Sequence, residues 1–108
     1  AGADTFDCVL PTRLARHATL LTTSGRLNIL NARYREDFSP PVVDCACATC
    51  SHYSRAYLSH LFRTGEMLGP ILASVHNVHF LVSFVANMRR AILSGVWPDF
   101  YAKHKRMV

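Results

Sequence analysis

The sequence lacks the features that mark several specialised classes of protein. Its 108 residues include only five prolines and five glycines, with no internal repeat and no low-complexity segment. There is no basic-then-apolar leader and no run approaching roughly 20 consecutive apolar residues, so we expect neither secretion nor a membrane span. Half of the residues are hydrophobic, which is enough for one modest core and excludes a disordered chain.

Acidic residues are also scarce. Seven Asp and Glu stand against twelve Lys and Arg, a formal net charge of +5, and all but two of the cations are arginine. The planar guanidinium matches phosphate groups and base edges. We therefore expect an anionic partner, tRNA or another nucleic acid ahead of a membrane surface, while the alternative is that the charge only keeps a small domain soluble.

The residue pattern predicts an α+β chain. Residues 5–10, TFDCVL, form a short apolar run closed by Pro11, which is typical of a buried strand. The runs TLLT and RLNIL flank a Thr-Ser-Gly turn and predict an antiparallel hairpin. After the cysteines the spacing becomes helical up to a natural stop at Gly65. A long helix is predicted over about 71–94, and Pro98 could open a short basic one.

The long predicted helix has an apolar stripe and a more polar side. At 100° per residue, the stripe contains residues that we interpret as facing the core: Val78, Leu81, Val85, Met88 and Ile92. His76 lies near the opposite side of this helix. We therefore expect His76 to face something other than the main core.

Three of the four cysteines stand within six positions, as Cys45, Cys47 and Cys50. The spacing Cys-x-Cys-x-x-Cys can bring three thiolates onto one ion, and zinc favours tetrahedral sulfur and nitrogen ligation. Two alternatives remain. Cys47 and Cys50 could be a redox pair, although no βαβ pattern surrounds them, or the cysteines could be unconnected buried residues. A disulfide between Cys45 and Cys47 would be badly strained.

The three thiolates need a fourth ligand. Cys8 lies far upstream, so a histidine is the better candidate, and His76 and His79 start a helix that must fold back over the preceding one. Spacing leaves both open, with a mild preference for His76. Four protein ligands fill the coordination sphere, which indicates a structural zinc ion, whereas a catalytic one keeps a position open. Such sites supply folding free energy on the order of 10 kcal/mol.

Four segments carry a resemblance to a known family. They are FDCVLPTRLAR at 6–16, GRLNILNARYREDFSP at 25–40, CACATCSHYSRAYLSHL at 45–61 and HNVHF at 76–80. In this order, they make nearly the whole chain resemble the C-terminal part of a tRNA-guanine transglycosylase, or queuine tRNA-ribosyltransferase. Thr5 and Ala18 depart from the family pattern, but neither holds an implied role.

The family fold is a (β/α)8 barrel with a zinc-binding insertion, and a complete barrel takes about 250 residues. The resemblance therefore implies that residues 1–108 are a single C-terminal segment of a longer protein. This segment would hold the last barrel strand, a small antiparallel β hairpin with the zinc-binding insertion at about 17–76, and closing α-helices. The zinc ligands that the resemblance implies are Cys45, Cys47, Cys50 and His76.

The resemblance also implies a reaction. Members exchange guanine at the wobble position of the tRNA anticodon loop for a 7-deazaguanine base, prequeuosine-1 or queuine, after the nucleotide leaves its stack. By match to FDCVLPTR, Asp7 would be the nucleophile of a covalent aspartyl-ribosyl intermediate. Arg13 and Arg16 match positions that bind the flanking bases, and Cys8 and Val9 match positions that line the same site.

Further expectations concern partners and activity. The resemblance implies a cytoplasmic homodimer with the zinc region near the subunit contact. Because guanine recognition and a second catalytic aspartate would lie upstream of Ala1, we expect the 108-residue chain alone to be inactive. The alternative function is a stand-alone structural zinc module that binds RNA without catalysis, although the stacked aromatics of a single-strand platform are lacking.

Overall fold

The computed structural model describes residues 2–105, which form one small hairpin, one 3-10 turn and five α-helices. The elements are α1 (Leu10–Arg16), β1 (Thr19–Thr22), β2 (Gly25–Asn28), a 3-10 turn (Ala32–Tyr34), α2 (Ala48–His52), α3 (Arg55–Arg63), α4 (Leu68–Leu93) and α5 (Trp97–His104). The α+β class is therefore confirmed.

The predicted hairpin is present. β1 and β2 pair antiparallel, with Leu20 opposite Leu27 and Thr22 opposite Gly25. The Thr22 hydroxyl donates to the Gly25 carbonyl at 2.7 Å and accepts the Ser24 N–H at 3.1 Å, which closes the turn. Gly25 has φ +120, a conformation that side chains disfavour, so the turn requires glycine at this position. Leu20 is fully buried and anchors the hairpin in the core.

The helix boundaries follow local signals. Ser54 caps α3 by accepting the Tyr57 N–H at 3.1 Å. Gly65, at φ +72, ends this helix as predicted. α4 begins at Leu68, three residues before the predicted start, because Pro70 lies in the first turn, where its missing N–H costs no intrahelical bond. α5 begins at Trp97 with Pro98 in its first turn.

The prediction for the core-facing side of α4 was wrong. Val78, Val85 and Ile92 are 44%, 50% and 58% exposed, and Leu81 and Met88 are half-buried. The buried residues of the N-terminal half of this helix are Gly69, Leu72, Ala73, His76 and Asn77. The reason is that α4 is apolar on more than one side, so periodicity alone could not tell which side the hairpin, α1 and α3 would cover.

The predicted strand at residues 5–10 was also wrong for this chain. Residues 2–9 have no regular secondary structure and are exposed, and α1 begins at Leu10 with Pro11 in its first turn. A strand needs hydrogen-bonded neighbours. Within residues 2–105 the sheet consists of β1 and β2, which pair with each other, and neither pairs with residues 5–10.

α4 is the one helix in the described part of the chain that matches a membrane span in length and composition. Its most apolar 18-residue window has a mean hydropathy of 1.5, and 28% of that window is buried. The core helix of a soluble protein passes the same test. α4 packs against α1, α3 and the hairpin, so its length and composition alone are weak evidence for a membrane span.

Candidate metal centre

Local backbone geometry brings the three clustered cysteines together. Asp44, at φ +68, turns the chain into the cysteine segment. Cys47 is the N-cap residue of α2, and its Sγ accepts the Cys50 N–H at 3.4 Å. Because Cys50 lies in the first turn of this helix, its side chain points to the same side as that of Cys47. Cys45 stands just before, with its N–H directed to the Val42 carbonyl at 3.4 Å.

His76, fully buried in α4, supplies the fourth group. Its Nδ1 lies 3.4, 3.5 and 3.4 Å from the Sγ atoms of Cys45, Cys47 and Cys50. All four candidate ligand atoms lie within 4.8 Å of one another. Of the two histidines that spacing left open, the structure selects His76, and His79 is exposed.

The three nearly equal nitrogen–sulfur distances are those expected when one ion is bound by all four side chains. An imidazole nitrogen has one lone pair or one proton, so it cannot form three equivalent hydrogen bonds. A tetrahedral zinc ion at about 2.3 Å from sulfur and 2.0–2.1 Å from nitrogen would place those atoms about 3.5 Å apart. The donor set and the spacing both fit a structural zinc site, and the four side chains would fill its coordination sphere.

The hairpin fixes the tautomer of His76. Its Nε2 lies 2.8 Å from the carbonyl oxygen of Leu21, and a carbonyl can only accept, so Nε2 carries the proton. The Nδ1 lone pair is therefore free to face the three sulfurs. Such an outer hydrogen bond orients a metal-binding imidazole and raises its basicity.

Burial sets the protonation states of these groups in the absence of a cation. It raises the pKa of the Cys45 and Cys50 thiols, and it lowers the pKa of His76. The imidazole is thus neutral at neutral pH, which is the form that binds metal. The two thiols hold their protons until a cation replaces them, so zinc binding would release protons.

Sequence reasoning missed two contributors to this centre. The Thr49 hydroxyl, fully buried between Cys47 and Cys50, donates to the Leu72 carbonyl at 2.7 Å and ties the cysteine segment to α4. Its position inside the cysteine motif could have indicated this role. The Leu21 carbonyl is a backbone group, so no side-chain pattern could have identified it.

The other residues singled out from the sequence lie outside the metal cluster. Asp7, Cys8 and Val9 are exposed in the segment before α1. Val9 is the N-cap residue of α1, and its carbonyl accepts the Arg13 N–H at 3.0 Å. Arg13 and Arg16 are exposed in the last turn of α1, three residues apart and therefore on neighbouring positions of one helix face. None of the four cysteines forms a disulfide.

Comparison with known proteins gives a consistent result. The family model described as Queuine tRNA-ribosyltransferase matches residues 1–107. The chain is 54% identical over 102 residues to the queuine tRNA-ribosyltransferase of Nitrosomonas europaea, covering 94% of this chain and 28% of that protein. It is 47% identical over 107 residues to the enzyme of that name from Moorella thermoacetica, covering 95% and 29%.

The chain thus spans little more than a quarter of the length of these curated relatives, 28% and 29%. The match nevertheless includes every residue of the metal cluster and the segment from Asp7 to Arg16. On this evidence the chain belongs to the queuine tRNA-ribosyltransferase family.

Proposed function

We propose that this chain is the C-terminal part of a tRNA-guanine transglycosylase, which exchanges the wobble guanine of tRNA for a 7-deazaguanine base. The observation that carries this proposal is the family match over residues 1–107, which includes Asp7 and the candidate zinc ligands. When bound, zinc would hold the cysteine segment, α4 and the hairpin together. The chemistry would fall to other residues.

Asp7 is the proposed nucleophile. Its carboxylate attacks C1′ of the target ribose, and the glycosidic bond breaks as guanine leaves with the bonding electrons. The departing guanine takes up a proton, and the incoming base gives up a proton as it attacks C1′ and displaces the carboxylate. Two inversions therefore retain the anomeric configuration, as in retaining glycosidases. The exposed position of Asp7 in a segment without regular structure would leave its carboxylate accessible to a flipped-out nucleotide.

Arg13 and Arg16 are the proposed contacts to the bases beside the target. Both are exposed on the last turn of α1, and their planar guanidinium groups can donate two parallel hydrogen bonds to a base edge or a phosphate. Cys8 and Val9 would line the same pocket. The excess of cations over acidic residues agrees with a tRNA partner.

We further propose that the rest of a (β/α)8 barrel covers the surfaces that this chain leaves exposed. Val78, Val82 and Val85 form an apolar face on α4 that is between 44% and 65% exposed. The relatives are long enough to supply such a barrel, since this chain spans only 28% of the first of them.

A homodimer in the cytoplasm completes the proposal. Tyr53 and Tyr57 stack with ring centroids 5.5 Å apart beside the metal centre, and Phe38 is exposed near them. Aromatic side chains are enriched in subunit contacts. Sedimentation of the full-length protein at several concentrations tests this, and a monomer at every concentration would remove the dimer from the proposal.

The decisive experiment replaces Asp7 by Asn in the full-length protein and follows the covalent tRNA adduct on denaturing gels. We expect the adduct to disappear while tRNA binding is retained. Asp4→Asn is the matched control, because Asp4 is an exposed carboxylate in the same segment, and this variant should form the adduct normally.

Two outcomes would contradict the proposal. A wild-type protein that binds tRNA but forms no adduct would favour the rival function, a structural zinc module that binds RNA without catalysis. If the Asp7→Asn variant still formed the adduct, the nucleophile would be a residue other than Asp7. The 108-residue chain alone should incorporate no labelled guanine into tRNA, because we expect guanine recognition to need residues outside it.

A further inference from the structure

Asn77 makes an unusual set of hydrogen bonds for a residue in the middle of a helix. It lies in α4 directly after His76, and its side chain is fully buried. Its Oδ1 accepts the Leu21 N–H at 3.0 Å. Its Nδ2 donates to the Thr19 carbonyl at 2.9 Å and to the Pro11 carbonyl at 3.0 Å. Both donors of the amide are therefore used, and all three partners are backbone groups.

These bonds join three elements at one point. Thr19 and Leu21 belong to β1, and Pro11 belongs to the first turn of α1. The Leu21 residue is held on both sides, since its N–H binds Asn77 and its carbonyl accepts from His76. A continuous path of hydrogen bonds thus runs from the candidate metal ligand His76, through β1 and Asn77, to the start of α1.

The start of α1 is close in sequence to the residues proposed to act on tRNA. Pro11 lies four positions after Asp7 and two before Arg13. Residues 2–9 have no regular secondary structure, so α1, which begins at Leu10 and carries Arg13, is the first element of regular structure after Asp7. The hydrogen bond from Asn77 to Pro11 is a direct polar link between α1 and the helix that carries His76.

Few other side chains could make these bonds. An aspartate would place a negative oxygen against the carbonyls of Thr19 and Pro11, which can only accept. A leucine of similar size would leave one N–H and two carbonyls without a partner in a buried position. Glutamine offers the same amide but adds a methylene group where the side chain is already fully buried.

We propose that Asn77 is a positioning residue that sets the placement of Asp7 and Arg13 relative to the metal centre. This inference rests on the proposed function, since it assigns a purpose to the placement of these two residues. A shift of about 1 Å in a reacting group can lower a rate about a hundredfold. Loss of the Asn77 bonds is therefore expected to slow adduct formation at least about tenfold, beyond what lost stability explains.

The test uses the full-length protein with two substitutions at this position, Asn77→Ser and Asn77→Leu, so that one variant remains if the other fails to fold. Leu61→Val is the matched control, because it removes a methylene group from the buried face between α3 and α4 and touches none of the three bonds. The rates of adduct formation are compared between variants that lose the same amount of thermal stability. The readouts are zinc content, single-turnover adduct formation, KM for tRNA, and amide hydrogen exchange over residues 6–14.

We expect the Asn77 variants to keep one zinc per chain while adduct formation slows at least about tenfold and exchange over residues 6–14 accelerates. Leu61→Val should change the rate by less than about twofold. Equal rates in Asn77→Ser and Leu61→Val would overturn the positioning role while leaving the proposed function intact. A wild-type protein without an adduct would overturn the proposed function, and this inference with it.

Discussion

Replacing His76 by Ala in the 108-residue chain should abolish both zinc retention and cooperative folding. The substitution removes one of four candidate ligands and the hydrogen bond from Nε2 to the Leu21 carbonyl at 2.8 Å. It also empties a fully buried site between α4 and the hairpin. His79→Ala is the matched control, because His79 is exposed on the same helix three residues later.

The expected magnitude follows from the structure. The lost hydrogen bond is worth about 1 kcal/mol, and truncating a large buried side chain to alanine costs about 2–5 kcal/mol. A structural zinc ion contributes on the order of 10 kcal/mol. Only six of the buried apolar side chains in residues 2–105 are Leu, Ile or Tyr, and the others are Ala, Cys or Pro. So small a core leaves no reserve against losses of this size, since domains are typically stable by about 5–15 kcal/mol.

Two measurements check this prediction: zinc content after dialysis against a chelator, and urea unfolding followed by circular dichroism. We expect one zinc per chain and a cooperative transition for wild type and His79→Ala, whose stabilities should agree within about 0.5 kcal/mol. His76→Ala should retain less than stoichiometric zinc and show no cooperative transition. If His76→Ala held one zinc and unfolded at the midpoint of His79→Ala, the assignment of the fourth ligand would be refuted.

Three further predictions concern pH, core and backbone. Because burial raises the pKa of Cys45 and Cys50, zinc must displace their protons. The zinc affinity measured in a chelator competition should therefore fall as the pH is lowered from about 8 to about 6, and an affinity that does not change with pH would contradict this. Leu58→Ala should lower the free energy of unfolding in urea by about 2–5 kcal/mol, whereas Val82→Ala, at an exposed position, should change it by less than about 0.5 kcal/mol. Equal losses would show that Leu58 is not part of the core. Gly65→Ala should cost about 1–2 kcal/mol because φ is +72, and an unchanged midpoint would contradict the left-handed helix end.

Predictions from local signals were confirmed because neighbouring residues determine the outcome. The hairpin turn is closed by the Thr22 hydroxyl and by Gly25, both within the predicted segment. The cysteine spacing predicts three ligands for the same reason, since Cys47 and Cys50 meet within the first turn of α2. In each case the bonds that fix the structure form between residues fewer than six positions apart.

The fourth ligand could not be settled in this way. His76 and His79 are three residues apart, which on a helix is 60° around the axis, so spacing alone barely separates them. What distinguishes the two histidines is the hairpin, which lies more than 50 residues upstream. It covers the side of α4 that carries His76, and its Leu21 carbonyl accepts a hydrogen bond from the His76 ring. Only the family resemblance could select His76 before the structure was known.

The buried side of α4 was misjudged because a pattern of apolar residues treats polar side chains as exposed. His76 and Asn77 are polar, yet both are fully buried, because each meets a specific partner on β1. The valines at 78, 82 and 85 are apolar, yet they are exposed in this chain. Hydrophobic periodicity locates a helix that packs somewhere, but it cannot show which side meets a hydrogen-bonding partner.

The same buried polar residues connect the candidate metal centre with α1. The candidate zinc ligands join α2 to α4, His76 joins α4 to β1, and Asn77 joins α4 to both β1 and α1. Each step is a bond between named atoms, so no long-range rearrangement is needed to connect the ion with the segment before α1. In the proposed function, a metal centre built this way contributes to where the segment that carries Asp7 joins α1, although none of the four candidate ligands lies in that segment.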